Sequence, residues 1–232
     1  MHGTPAAAGG VPPWTRSRTI RVLFATLSVA GIIGASAGTA CREAGRQPQG
    51  KSSRLQADAA LREQVRTLGQ TAEQEGVRTL RQKAEQGDAD AQYSLGVSYR
   101  DGKGVDRDYA QAVTWWRKAA GQGHASAQAA LGFMYASGQG ISKDDAQAVE
   151  WYRRAADQGI ARAQFNLGVM YSRGQGILQD YIEAHKWMNL AAAVPESAAA
   201  RDRLAQQMTP AQIAEAERRA YEWRAAFEIR QK

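Results

Sequence analysis

The chain has 232 residues, 44% apolar and 23% charged, the balance of a folded soluble protein and too apolar for one disordered throughout. Lys and Arg outnumber Asp and Glu by 30 to 23, but three of the cations are Arg16, Arg18 and Arg21, in a stretch to residue 41 that has no acid. The remaining excess of four suits a solvated surface and argues against a nucleic-acid partner, while a single cysteine, Cys41, excludes a disulfide framework or a cysteine-built metal site within one chain.

Residues 1–15 are mostly Ala, Gly and Pro, with little to bury, and read as a disordered start. After the three arginines come 19 uncharged residues, Val22 to Ala40. A basic start, an apolar middle and a run of small residues make a secretory signal. Its apolar heart, Val22 to Ile33, is 12 residues, short for a membrane-spanning helix. Three fates stay open for segment 1–41. Cleavage after Ala37 follows the small residues Ala35 and Ala37. Cleavage before Cys41 leaves a lipid-modified cysteine; Gly38-Thr39-Ala40-Cys41 resembles the bacterial lipoprotein signal, although Gly38 stands where an aliphatic residue is usual. Retention as an N-terminal anchor is the third. All three export the folded part to the periplasm or cell envelope, and only this segment reaches a membrane.

Residues 42–53 read as a polar linker. From 54 to 83 we expect N-terminal capping helices. Leu55, Ala59, Leu61, Val65 and Leu68 keep helical spacing, Gly69 and Gly76 bracket a break, and Val77–Gln86 forms a second helix. Ala84-Glu85-Gln86-Gly87 lies 36 residues before Ala120-Gly121-Gln122-Gly123, so this segment is a decayed repeat.

Three intact repeats follow, at 84–119, 120–155 and 156–191. Residues 91–105, 127–141 and 163–177 match one another, as do the stretches beginning at Asp108, Asp144 and Asp180, always 36 residues apart. Ala91, Leu95 and Tyr99 form one stripe of a helix, repeated at 127, 131, 135 and at 163, 167, 171. Gly96, Gly132 and Gly168 sit in mid-helix, where each costs about 1 kcal/mol against Ala, and imply close backbone approach of a neighbouring helix. Glycine pairs at 102/104, 138/140 and 174/176 end the helix, and the three aspartates cap a second amphipathic helix. In that helix, large aromatics such as Trp116 and Tyr152 face small alanines and belong to the core. A fourth unit fails: Pro195 replaces the expected glycine. Residues 192–232 read as C-terminal capping helices, with Thr209 as N-cap, Pro210 at the first helical position and Gln212 completing a capping box.

The pattern L-G-x-x-Y, G-x-G, D-x-x-x-A-x-x-W and A-A-x-x-G at a 36-residue period resembles the Sel-1-like repeat family, a relative of the tetratricopeptide repeat. The resemblance implies an all-α fold: an α-solenoid of antiparallel helix pairs stacked into a right-handed superhelix, with helical caps and a concave groove lined by the first helices. It implies an adaptor or scaffold for protein complexes, tied in exported bacterial members to signalling or envelope regulation. Residues 208–223 also resemble the tail of such members. One branch of the family, linked to β-lactams, carries a disulfide in each repeat; no repeat here has a cysteine.

Mapping the tetratricopeptide groove onto this register selects Tyr93, Val97 and Arg100 from the first repeat, Phe133 from the second, and Arg162, Phe165, Asn166 and Val169 from the third. Aromatics, arginines and an asparagine suit an extended peptide or a partner helix. No catalytic group, metal site or cofactor site emerges. His2 lies in the disordered start, His124 opens a helix, and His185 stands where Val113 and Val149 stand in the other repeats. The expected role is therefore a non-enzymatic scaffold or regulator in the bacterial cell envelope that binds a protein or peptide. The alternative is a protein that binds or modifies peptidoglycan fragments.

Overall fold

A computed structural model describes residues 49–232. The candidate export signal, its cleavage points and Cys41 lie outside them. The described residues form helices joined by turns: α1 Gln49–Glu85, α2 Ala89–Asp101, α3 Tyr109–Gly121, α4 Ala125–Ser137, α5 Asp145–Asp157, α6 Ala161–Arg173, α7 Tyr181–Leu190, α8 Ser197–Ala205 and α9 Pro210–Arg230. Helices pack in consecutive pairs, α2 on α3, α4 on α5 and α6 on α7, and each pair packs on the next, so the all-α solenoid read from the sequence stands.

The caps follow the sequence. Asp108, Asp144 and Asp180 are extended N-caps whose carboxylates accept backbone N–H bonds from the first turns of α3, α5 and α7, and Thr209 and Gln212 form the capping box of α9. Gly102, Gly138 and Gly174 close α2, α4 and α6 in the left-handed conformation. The second glycine of each pair does something further. Gly104, Gly140 and Gly176, with φ of 70°, 69° and 68°, lie against backbone at Glu73, Tyr109 and Asp145 of the preceding helix. Those contact points are themselves 36 residues apart, so the end of α1 occupies the place of a second helix in a repeat that lacks its first.

The mid-helix glycines need correction. A Cβ on Gly96 would come within 2.6 Å of Trp116 Cδ1, and one on Gly132 within 2.6 Å of Tyr152 Cδ1. What approaches there is an aromatic ring, not backbone. Only at Gly168, where Met188 replaces the aromatic, does a neighbouring backbone come close, with Ala184 O at 3.0 Å.

The expected break in α1 is also absent. The helix runs unbroken through Gly69 and Gly76 and takes in residues 49–53 of the expected linker. Two exposed glycines with nothing around them weaken a helix by about 1 kcal/mol each without forcing a turn. Val77 and Ala84 bury against Leu95 and Trp115, while Leu61, Val65 and Leu68 stay exposed. Only the C-terminal part of α1 therefore serves as the cap.

At the other end, α8 starts 36 residues after α6 and so stands where a fourth repeat would begin. Pro195 replaces the turn glycine, and α8 is shortened to 9 residues. Ser197, fully buried, donates from Oγ to the Met188 carbonyl at 2.6 Å and satisfies the end of α7. Helix α9 then folds back on α7: Trp223 meets Trp187 edge-on at 5.9 Å, Arg219 pairs with Glu183 at 2.9 Å, and Phe227 packs against Gly159.

Two polar ladders hold the stack. Buried Gln92, Gln128 and Gln164 donate to the carbonyls of Ala84, Ala120 and Ala156. Gln122 and Gln158 in turn donate to Gln92 and Gln128, both at 2.8 Å. Arg81, Arg117 and Arg153 donate to the hydroxyls of Tyr99, Tyr135 and Tyr171. The Gln122–Gln92 and Gln158–Gln128 bonds favour one register, since a shift would leave the buried Oε1 of Gln92 or Gln128 without a donor.

Substitutions at two glycines separate these constraints. Gly140→Ala should cost about 1–3 kcal/mol from its left-handed backbone, with overlap on Tyr109 added. Gly121→Ala, helical and with nothing near its Cβ, should gain up to about 1 kcal/mol. Chemical denaturation of both reads the difference. His185 supplies a second test. It is 3% exposed with Nδ1 unpartnered, and burial, aided by Arg201 and opposed by Glu217 and Asp202, pushes its pKa below the ordinary 6.5. The neutral form is favoured in the folded state, so its stabilisation is present above that value and lost as pH falls through the lowered one. His185→Val, the residue of the other repeats, should gain about 1 kcal/mol at neutral pH and flatten the fall in melting temperature between pH 7 and 5. Parallel profiles for the two proteins would remove that role.

Candidate functional site

A groove of about 520 Å³ opens across α2, α4 and α6. Its floor depends on the glycine seats. The Trp116 indole lies under α2 against Gly96 and donates from Nε1 to the Tyr93 carbonyl at 3.1 Å. Tyr152 lies under α4 against Gly132; burial pushes its phenol up to about 12, opposed by a hydrogen bond to Asn166. The walls carry Tyr93 and Arg100 from α2, Ala129, Ala130 and Phe133 from α4, and Arg162 and Asn166 from α6. Phe133 is 48% exposed, a large apolar side chain left uncovered above an apolar floor.

Five of the eight groove residues expected from the sequence thus converge: Tyr93, Arg100, Phe133, Arg162 and Asn166. Three do not. Val97 packs against the core shared by α3 and α4. Phe165 and Val169 line a separate cleft of about 550 Å³ beside Ala200, Arg203 and Leu204 of α8, and Val169 also borders a smaller one with Tyr152 and Asn166. Helix α8 stands beside the third repeat as a following repeat would, and it draws these positions into its own contacts.

Sequence reasoning missed the partners of these residues. Arg100 meets Asp101 through two bonds, Nε to Oδ1 at 2.7 Å and Nη2 to Oδ2 at 3.1 Å. That contact raises the guanidinium pKa and lowers the carboxyl's. Arg162 reaches Glu196 at 3.4 Å, with both side chains more than half exposed. His124 caps α4: Nδ1 accepts from Ala127 N at 3.1 Å, and Nε2 lies 3.2 Å from Asp90 Oδ1. Its ring stacks on Tyr93, with centroids 4.7 Å apart and planes inclined by 22°. Its place 36 residues after the capping Asp88 was a usable signal for the cap, whereas the stacking joins two repeats and left none. The glutamine and arginine ladders also carried a signal, in Ala-Gln at 91, 127 and 163 and arginines at 81, 117 and 153.

Among the described residues, no group of three or more His, Cys, Asp or Glu could hold a metal ion, and no helix is long and apolar enough to cross a membrane.

The Sel1 repeat family model matches residues 89–124, 125–160 and 161–193, each match opening where α2, α4 and α6 begin. Among solved structures, a Sel1 repeat protein from Oxalobacter formigenes is 42% identical, with 47% of this chain and 44% of that one covered and a TM-score of 0.45. A protective antigen present in uropathogenic Escherichia coli strains, displaying an SLR fold, is 28% identical, with 67% and 43% covered and a TM-score of 0.50. This chain spans less than half the length of either. No curated protein matches it.

The capping role of His124 has a direct consequence. His124→Ala should cost about 1 kcal/mol and release the Tyr93 ring, whereas His124→Asp should keep the cap, as Asp88 does for α2. Thermal melts, with the Tyr93 ring resonances as local probe, distinguish the two.

Proposed function

Because residues 89–193 of this chain are three Sel1 repeats, we propose that it is a non-enzymatic scaffold or regulator of the bacterial cell envelope, holding a segment of a partner protein in the groove of α2, α4 and α6. Sel1 repeat proteins are generally protein-interaction scaffolds. The observation that carries the reading to this groove is the exposed Phe133 ring, flanked by Tyr93, Arg100, Arg162 and Asn166. A free apolar surface bordered by directed hydrogen-bond donors suits an extended peptide or one face of a helix. The envelope placement rests on the basic and apolar pattern of residues 16–40, with lipidation at Cys41 or a retained anchor as its membrane-bound forms.

Crosslinking in intact cells, followed by recovery from the envelope fraction, tests this with wild type beside Arg162→Ala/Asn166→Ala. The wild type should capture one or a few proteins, and the double variant should lose them at least tenfold. Equal capture by both removes the groove. An empty capture, with muropeptides binding the purified protein, replaces a protein partner with cell-wall fragments. Recovery of the chain only from cytoplasm refutes the envelope placement.

A further inference from the structure

We propose that the groove selects acidic partner segments, with two carboxylates set about seven extended residues apart around an apolar side chain, and that Asp101 and Glu196 are the resident counter-ions such a segment displaces. The inference rests on the groove reading of the preceding section and adds the chemistry of the occupant.

Charge complementarity carries it. The groove lining holds two guanidinium groups, Arg100 and Arg162, and no carboxylate. Between them lie apolar surfaces, with Phe133 at the centre of the exposed part. Arg100 is in the last turn of α2 and Arg162 in the first turn of α6, so the two stand at opposite corners. With about 1.5 Å rise per residue and about 8–10 Å between packed helices, the corners are roughly 23 Å apart. An extended chain covers about 3.3 Å per residue, which makes that span about seven residues.

Each arginine already has a carboxylate, but neither pair is sealed. The Arg100 side chain is 41% exposed, and Arg162 and Glu196 are 57% and 58% exposed, joined by a single 3.4 Å contact. The single-contact Arg162–Glu196 pair, exposed on both sides, holds weakly and exchanges partners readily, while the two-bond Arg100–Asp101 pair is the firmer of the two. Asp101 and Glu196 therefore keep the arginines oriented over the groove while it is empty. A carboxylate that arrives on a chain already bound to Phe133 meets Arg162 with its translational cost partly met. Asn166, in the groove lining beside Tyr152, is placed for the backbone of that chain.

Three synthetic ten-residue peptides test this on the full chain, each with a leucine at position 5 among serines and the same residue at positions 2 and 9: glutamate, glutamine or lysine. Shifts of the Ala129 and Ala130 methyl resonances report groove binding. The glutamate peptide should bind at least tenfold more tightly than the glutamine one and weaken with added salt, and the lysine peptide should leave the groove unshifted. Arg100→Ala and Arg162→Ala should each bring the glutamate peptide toward the affinity of the glutamine one. Glu196→Gln should strengthen the glutamate peptide about threefold and leave the glutamine peptide unchanged, an increase that a folding defect does not produce. Equal binding of glutamate and glutamine peptides overturns the charge selection while the groove reading stands. Shifts away from Ala129 and Ala130 for all three peptides overturn both.

Discussion

The fold depends on one repeated fit: a large side chain from the second helix of each pair seated in the notch left by a glycine in the first. Trp116 in Gly96, Tyr152 in Gly132 and Met188 against Gly168 set how closely the two helices approach. A glycine in mid-helix costs about 1 kcal/mol, and a buried aromatic returns more than that through the area it removes from water. The same rings emerge beneath the first helices as the floor of the groove. Scaffold and site are thus made from the same atoms, and the recurring positions define a surface whose chemistry is set by the residues that do not recur.

The polar ladders explain why the 36-residue spacing holds without a slip. Gln92, Gln128 and Gln164 each donate across a turn to an alanine carbonyl, and Gln92 and Gln128 also accept from Gln122 and Gln158. A one-residue insertion that rotated Gln122 or Gln158 away would leave the buried Oε1 of Gln92 or Gln128 without its donor. Apolar packing alone tolerates small shifts; a satisfied amide does not.

Much of this was legible in the sequence because it repeats. Helix starts at Asp108, Asp144 and Asp180, turns at the glycine pairs and the box at Thr209 and Gln212 rest on local chemistry, and local chemistry is written in adjacent residues. The break expected at Gly69 and Gly76 was misjudged because glycine permits a turn without requiring one. The mid-helix glycines were read as backbone contacts because spacing reveals that something approaches, not whether it is ring or chain. For the groove, the tetratricopeptide likeness carried onto this register selected Tyr93, Arg100, Phe133, Arg162 and Asn166, which line one groove. Phe165 and Val169 also line a cleft with α8, a neighbour that the decayed repeat pattern did not foretell. The counter-ions Asp101 and Glu196 lie outside the motif, one of them 34 residues from its partner, and no periodicity points to them.

The reach of α9 bears on how the array comes apart. Repeat arrays behave approximately as one-dimensional chains in which end units fray first. By laying Trp223 on Trp187 and Phe227 on Gly159, α9 straps the last repeat to the turn that closes the one before it. Opening from the C-terminus then disturbs two units together, while at the N-terminal end α1 is held from Glu73 to Ala84 against the first repeat alone. The two ends of the groove are thus covered by different elements: Tyr93 and Arg100 stand on α2, the helix that packs on α1, and Arg162 and Asn166 on α6, next to the turn that α9 reaches.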